Sequence, residues 1–305
     1  MGKQQVIVIA GPTASGKTKL AIELAKKING EIVSCDSMQI YKEMDIGTAK
    51  PTKDEQTEVV HHMIDIITPE QRFSVSDFKN IAEKKIEEII AKGKVPILAG
   101  GTGLYINSLI YGIEFQEIEF DEKYRKQLEM RVEEEGLKKL YEEAYKIDEE
   151  AMKNISVNDK KRILRVIEIY HQTGMTKTKQ EELSRKNGPK YDYKVFAINL
   201  DRELLYERIN NRVDKMIENG LIDEVKKIHD KYNYFPTAMQ GIGYKEVVQY
   251  INGDLTKEEM IEKIKQESRR YAKRQMTWFR KNKEIKWLDG INDIQNNIQI
   301  ILEEK

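Results

Sequence analysis

The chain has 305 residues, enough for one large domain or two modest ones, and its 39% hydrophobic content is sufficient for a core. Because 52 basic residues balance 52 acidic ones, global charge neither supports nor excludes nucleic-acid binding. The single cysteine, Cys35, excludes an internal disulfide and a cysteine-based zinc site. No apolar run approaches the ~18 residues of a membrane span, and the N-terminus leads directly into a strand. We therefore expect a cytoplasmic protein with no targeting peptide and no membrane partner.

The first predicted strand, residues 6–10, is followed by a glycine-bounded loop and a helix with apolar residues at helical spacing. Gly11 and Gly16 allow the backbone to turn tightly against an anion, and the loop N–H groups and the helix N-terminus favour negative charge there. Lys17 adds a positive charge, and the Thr18 hydroxyl can hold Mg²⁺. The sequence therefore predicts a phosphate-binding loop made of Gly11, Pro12, Thr13, Ala14, Ser15, Gly16, Lys17 and Thr18.

Two further predicted strands end near this loop. Residues 31–35 lead into Asp36, and residues 95–99 lead into a second glycine-rich turn that contains Thr102. In an open α/β sheet the carboxyl ends of such strands form the ligand crevice. On spacing alone, Asp36 could act in the chemistry, cap a following helix or hold Mg²⁺ through water. His61 and His62, within a loop-rich stretch over residues 43–80, favour hydrogen bonding over metal binding, because neighbouring strand residues face opposite ways.

Strand patterns are missing between residues 117 and 190, where charged helical patterns predict an all-helical insertion domain. Residues 1–116 and 191–305 predict an α/β core, with a strand over 195–201, helices over 202–219 and 221–231, and a long helix that begins near 256. A basic cluster begins the third insertion helix and includes Lys161, Arg162 and Arg165. It is either a solvated helix face or a contact to a phosphate backbone.

Eight basic residues and a single acid lie between residues 269 and 286, and Tyr271, Trp278 and Phe279 lie among them. Such a stretch suits RNA, because bases stack on aromatic rings while cations follow the backbone. It is equally typical of a surface helix whose aromatic side chains pack in the core.

Eight short motifs then follow one another along the chain. They are GPTASGKT at 11–18, DSMQIY at 36–41, DIGTAKP at 45–51, HHMID at 61–65, GGTGLY at 100–105, GIGYKE at 241–246, RRYAKRQ at 269–275 and TWFR at 277–280. The whole chain resembles the tRNA isopentenyltransferase family in its short bacterial form. The resemblance implies a P-loop kinase-like parallel sheet flanked by helices, with Mg²⁺ as cofactor. It also implies transfer of a dimethylallyl group from its diphosphate to the exocyclic amine of the adenine just 3′ of the tRNA anticodon.

The resemblance also implies roles for individual residues. Asp36 matches the family's general base, Thr102 a residue that hydrogen-bonds near the amine, and Arg125 an arginine beside the leaving diphosphate. A carboxylate is too weak to deprotonate a neutral aryl amine, but it can accept the proton as the nitrogen becomes cationic during attack. The target adenine must leave its stack to reach such a group.

The implied tRNA contacts cover all three parts of the chain. They comprise Asp36, Ser37, Met38, Gln39, Thr102, Arg125, Lys161, Arg162, Ile163, Leu164, Arg165, Gln240, Gly241, Ile242, Gly243, Tyr244 and Lys245, to which the basic stretch adds Arg270, Lys273 and Arg274. Two alternatives remain at this stage: a nucleoside or nucleotide kinase with the same core, and a non-catalytic RNA-binding protein that senses a nucleotide. We expect a monomer.

Overall fold

The computed structural model describes residues 2–115 and 121–304. The chain divides into two compact units, one formed by Met1–Ile110 with Lys190–Lys305 and the other by Tyr111–Pro189. The predicted domain boundary between residues 116 and 117 lies outside the described residues. No helix within the described ranges is long and apolar enough to cross a membrane.

The first unit is built on a sheet that has six strands in the described part of the chain. They are β1 Gln5–Ala10, β2 Gly30–Cys35, β3 His61–His62, β4 Val95–Gly100, β5 Asp192–Asn199 and β6 Lys286–Asp289. The order is β3-β2-β4-β1-β5-β6, and every neighbouring pair is parallel. The central strands are apolar runs covered on both faces, as parallel sheets require: Val6 to Ala10 are at most 1% exposed. The predicted α/β class is confirmed.

Helices cover the sheet and form the second unit. In chain order they are α1 Lys17–Ile28, α2 Lys53–Glu58, α3 Val75–Ala91, α4 Gly103–Ile110, α5 Glu122–Glu135, α6 Leu137–Ile147, α7 Glu149–Met152, α8 Lys160–Thr173, α9 Lys177–Ser184, α10 Arg202–Glu218, α11 Leu221–Lys231, α12 Tyr244–Ile251, α13 Lys257–Phe279 and α14 Ile294–Glu303. A short 3-10 helix, Ala238–Gln240, precedes α12. The long helix predicted to begin near residue 256 is α13, and Thr256 and Glu259 form a capping box at its start.

Two apolar clusters among the described residues of the first unit bear on the site. One lies between the sheet and the helices packed on it, and it includes Ile9, Leu24 and Phe196. The other joins the segment after β2 to α11, α12 and α13, and it includes Tyr41 and Tyr244. This second cluster matters for function, because it attaches the C-terminal helices to the chain that follows Asp36.

The helical unit has a core of its own. Leu128, Leu140, Ile163 and Val166 are fully buried in it. Asp121 and Asp159 cap α5 and α8 by accepting backbone N–H groups of the first turn. Within the described residues of this unit the regular secondary structure is helical, in line with the sequence pattern.

Candidate functional site

The loop after β1 connects the strand to α1 through two left-handed residues. Ala14 has φ 61° and Gly16 has φ 92°. The Ser15 N–H donates to the Pro12 carbonyl at 3.3 Å, and Lys17 Nζ donates to the same carbonyl at 3.2 Å. The loop therefore curls back at the N-terminus of α1, where unpaired N–H groups favour an anion.

A side chain of α13 joins this loop to the turn after β4. Gln275 Oε1 accepts from the Thr13 N–H at 3.0 Å, and Gln275 Nε2 donates to the Gly101 carbonyl at 2.9 Å. A Cβ on Gly101 would lie 2.2 Å from that nitrogen, so only glycine permits the approach. The two glycine-rich motifs are therefore parts of one structure, completed by the C-terminal helix.

The segment after β2 adds a carboxylate to the same edge. Asp36 Oδ1 accepts from the Met38 N–H at 2.9 Å, which fixes the carboxylate at the strand end. The Ser37 N–H donates to Thr102 Oγ1 at 3.0 Å, and the Thr102 N–H donates to the Cys35 carbonyl at 3.1 Å. Asp36 caps a turn instead of the helix that spacing alone allowed, and Thr102 lies beside it.

These elements enclose two adjoining cavities. The smaller, about 60 Å³, is polar, and its walls include Lys17, Thr18, Asp36 and Arg212. The larger, about 300 Å³, shares Asp36 and Arg212 with the first. Its other walls include Ser37, Met38, Gln240, Gly241, Ile242, Tyr271 and Arg274. A polar pocket for an anion therefore adjoins a wider pocket with apolar and aromatic walls.

Two cations and one carboxylate set the electrostatics of the smaller cavity. Burial, assisted by repulsion from Arg212, lowers the pKa of Lys17 from 10.5 to about 8, and attraction to Asp36 opposes this. Burial also lowers the pKa of Arg212, again opposed by Asp36. The cavity thus concentrates positive charge that a single carboxylate balances only in part, which suits a ligand with more than one negative charge.

Sequence reasoning missed Arg212 and Gln275. Arg212 lies on α10 three residues after Ile209 and one before Val213, both of which line the larger cavity with it. A cation on an otherwise apolar helix stripe is the signal that could have drawn attention to it. Gln275 lies within the quoted RRYAKRQ motif, but its polarity gives no hint of the two turns it joins.

The basic residues of α13 do not all share one environment. Arg274 lines the larger cavity and lies over the Tyr271 ring, with its guanidinium carbon 5.6 Å from the ring centroid. Arg270 pairs with Glu267 at 2.6 Å, and Lys273 is exposed. Tyr271 lines the cavity, and burial raises its pKa to about 12. Aromatic and cationic side chains of α13 therefore reach the edge of the site.

The remaining predicted residues lie in the helical unit and around α12. Arg125 donates to Glu129 and Glu168, each at 3.0 Å. Lys161, Arg162 and Arg165 lie on α8 with mostly exposed side chains, whereas Ile163 and Leu164 on the same helix are buried in the unit core. Near α12, Lys245 is exposed, while Gly243 and Tyr244 are buried.

These features define a parallel α/β protein whose candidate site lies at the carboxyl ends of its strands, with two cations beside a carboxylate. A family model described as IPP transferase matches residues 39–282. A tRNA dimethylallyltransferase of Acetivibrio thermocellus is 52% identical over 285 residues, 93% of this chain and 91% of the relative. The chain therefore belongs to the IPP transferase family.

Solved structures agree with this assignment. The tRNA isopentenylpyrophosphate transferase of Bacillus halodurans is 43% identical, with a TM-score of 0.74 over 99% of this chain and 95% of that one. A eukaryotic dimethylallyltransferase described as acting on tRNA is 31% identical, with a TM-score of 0.82 over 99% of this chain and 79% of that one. The resemblance drawn from the motifs is confirmed, and these relatives favour a transferase over the kinase alternative.

Proposed function

We propose that the chain transfers a dimethylallyl group from dimethylallyl diphosphate to tRNA. The acceptor is the exocyclic amine of the adenine on the 3′ side of the anticodon, as the motifs imply. The observation that carries the proposal is the pair of adjoining cavities: one small and cationic, one wider and partly apolar, with Asp36 in the wall of both. The diphosphate of the donor requires a cationic pocket, and a flipped adenine requires a wider, partly apolar pocket beside it.

The small cavity suits the leaving diphosphate. As the bond between the allylic carbon and oxygen breaks, its electron pair stays on the diphosphate, and negative charge grows on the phosphate oxygens. Lys17, Arg212 and the loop N–H groups stabilise that charge where it develops. Arg125 keeps its predicted role beside the leaving group on the strength of the resemblance alone.

Thr18 is the residue proposed to hold Mg²⁺. Thr18 and Asp36 line one small cavity, and oxygen atoms such as those of their side chains are the donors that Mg²⁺ prefers. The described residues contain no cluster of three or more His, Cys, Asp or Glu that could hold a metal, so water and phosphate oxygens would complete the shell. When bound, the ion neutralises part of the phosphate charge.

Asp36 is proposed as the proton acceptor. The amine nitrogen forms a bond to the allylic carbon, becomes cationic and releases its proton to the carboxylate. Thr102 accepts a hydrogen bond from the neighbouring Ser37 N–H and so holds this part of the site in position. Met38, Gln240, Gly241 and Ile242 form walls against which a flipped purine can stack and be read.

The tRNA surface is proposed to extend from the cavity edge along α13 through Arg270, Lys273 and Arg274. The contacts of Gln39, Lys161, Arg162 and Arg165 stay predictions drawn from the resemblance. The monomeric state and the cytoplasmic location also stay predictions.

The experiment that tests the proposal follows a labelled dimethylallyl group from its diphosphate into tRNA. Wild type is expected to transfer the label, and Asp36→Asn to transfer it about 10²- to 10⁴-fold more slowly, because an amide cannot accept the proton. Affinity for tRNA should stay within about threefold, since phosphate contacts dominate it. Asp230→Asn, an exposed change of equal charge on α11, serves as control.

The outcome has a clear reading. A wild-type protein that transfers no label to tRNA contradicts the proposed function. A fully active Asp36→Asn variant contradicts only the role of Asp36. Phosphate transfer from ATP to a nucleoside, independent of tRNA, would restore the kinase alternative.

A further inference from the structure

A turn over residues 44–50 forms a shared wall of the two cavities. Gly47 and Thr48 line the larger cavity, and Thr48 and Ala49 line the smaller. Two residues of this region, Glu43 at φ 67° and Ala49 at φ 45°, are left-handed without being glycine. Such conformations persist where the surrounding structure imposes them. The question is therefore what holds the turn.

Glu224, on α11, binds the outer side of the turn. Its Oε2 accepts the N–H groups of Asp45 at 3.0 Å and Ile46 at 2.7 Å, and its Oε1 accepts the N–H of Gly47 at 3.1 Å. Three consecutive backbone donors thus point at one carboxylate, 177 to 179 residues away in sequence. Hydrogen bonds to a charged acceptor are stronger than neutral ones.

Tyr244, the first residue of α12, supports the same carboxylate. Its hydroxyl donates to Glu224 Oε1 at 2.6 Å, and the residue is 1% exposed. Its ring covers Gly47 so closely that a Cβ there would lie 2.4 Å from the ring. Tyr244 therefore acts on the turn twice, through Glu224 and by direct packing, although the motif resemblance placed it among the tRNA contacts.

The inner side of the turn is connected to the end of β2. Gln39 Nε2 lies 3.4 Å from the Thr48 carbonyl and 3.3 Å from the Ala49 carbonyl. Ser34 Oγ donates to Gln39 Oε1 at 2.9 Å. A displacement of the turn is therefore transmitted to the segment that carries Asp36.

We propose that Glu224, supported by Tyr244, is a positioning residue for the transfer reaction: it sets the distance between the diphosphate pocket and the purine pocket by holding the turn over residues 44–50. This inference rests on the proposed function. The turn contributes only backbone and small side chains to the cavity walls. Loss of its support by Glu224 should therefore change the alignment of the two substrates more than their binding. Misalignment of about 1 Å can cost a reaction about 10²-fold.

The test measures single-turnover transfer and amide hydrogen exchange on the same folded protein. Glu224→Gln is expected to slow transfer about 10- to 100-fold, because an amide replaces one of the two accepting oxygens with a donor. Affinity for tRNA should change less than about threefold, because phosphate contacts elsewhere supply it. The amides of Asp45, Ile46 and Gly47 should exchange faster than in wild type.

Tyr244→Phe keeps the ring on Gly47 and removes only the hydroxyl, so it should slow transfer less than Glu224→Gln does. It also keeps the test decisive if Glu224→Gln does not fold. Asp223→Asn, an exposed change of the same charge on the same helix, is expected to leave both measurements unchanged.

Two results would overturn the inference: transfer at the wild-type rate in folded Glu224→Gln, or slow transfer with unchanged exchange of the three amides. A wild-type protein that transfers nothing would instead contradict the proposed function, so the two failures are distinguishable.

Discussion

The two ends of β2 carry acidic residues in opposite circumstances. Glu31, near its start, is 2% exposed and is surrounded by His62 Nε2 at 2.7 Å, Lys94 Nζ at 2.8 Å and Lys92 Nζ at 3.3 Å. Burial opposes its ionisation, but hydrogen bonds from Lys94, His62 and Lys92 outweigh it and lower the pKa from 4.5 to about 2. We call this cluster closed, because the carboxylate already has its partners within the protein.

Asp36, just after the end of the same strand, accepts a backbone N–H and shares a cavity with Lys17 and Arg212. There the pKa values of the two cations are lowered, because burial disfavours their charged forms. We call this second cluster open, because its charged groups line a cavity. A closed cluster stabilises the fold, whereas an open one leaves positive charge available to a ligand. The difference teaches that strand position alone does not tell a structural carboxylate from a functional one; the neighbouring elements do.

The largest expected effect is loss of activity without loss of stability at the open end. Arg212→Gln and Lys17→Met should each lower the transfer rate about 10²- to 10³-fold, because each removes a positive charge that stabilises the leaving diphosphate. The melting temperature should stay unchanged or rise, since burial and repulsion already penalise these cations. Steady-state kinetics and thermal unfolding measure the two effects, with Lys19→Met, an exposed lysine of α1, as control. A large fall in stability would show that the open cluster is structural after all.

The closed end should show the reverse. Lowering of the Glu31 pKa from 4.5 to about 2 corresponds to about 3 kcal/mol of folding free energy at neutral pH. Glu31→Gln should lose about that amount in denaturant unfolding, while transfer per folded molecule stays normal. Exposed Glu207→Gln should change stability by less than about 0.5 kcal/mol.

The acid dependence of unfolding gives a sharper check on the same variant. Because the folded pKa of Glu31 is lowered, its contribution is fully present above pH 4.5 and is lost as the pH falls towards about 2. The stability gap between wild type and Glu31→Gln should therefore close over this interval. A gap that persists at the acid limit would mean that the glutamate acts by packing.

A smaller effect is expected at alkaline pH at the open end. As the pH rises through about 8, Lys17 in the free enzyme loses its proton and its positive charge. Hence kcat/KM for dimethylallyl diphosphate should fall about tenfold for each pH unit above this value. Lys17→Met should lack the inflection. An unaltered profile in that variant would assign the inflection to another group.

The smallest effect is expected at the edge of the closed cluster. The Lys92 side chain is 51% exposed, and its contact with Glu31 is the longest of the three. Lys92→Met should cost about 0.5 to 1 kcal/mol, because Lys94 and His62 still satisfy the carboxylate. Denaturant unfolding measures it. A loss equal to that of Glu31→Gln would mean that the three partners of Glu31 act as one unit.

Local patterns were sufficient for the elements whose signals are local. The phosphate-loop motif, the buried strands β1, β2 and β4 and the capping box at Thr256 all depend on residues close in sequence. By contrast, β3 has two residues and β6 has four, and β6 begins at the last residue of the basic stretch, so neither carries an apolar run. Short edge strands form because a neighbouring strand is present, and no local pattern records that.

The site was predictable in the same measure. Asp36, Thr102 and the phosphate loop follow strand ends, so chain topology brings them together. Gln275 and Glu224 lie on helices 174 to 262 residues further along the chain than the backbone groups they bind, and Arg212 reaches the small cavity from α10. Their positions depend on how α10, α11 and α13 pack, which polarity and spacing do not encode.

The amide of Gln275 has one further consequence. Its oxygen accepts a hydrogen bond from one turn, and its nitrogen donates a hydrogen bond to the other. A glutamate could not donate to the Gly101 carbonyl, a lysine could not accept from Thr13, and a leucine could do neither. Position 275 therefore requires a side chain that accepts a hydrogen bond at one end and donates one at the other, held in one orientation. Through this one side chain, α13 with its exposed cations is attached both to the phosphate loop and to the turn after β4.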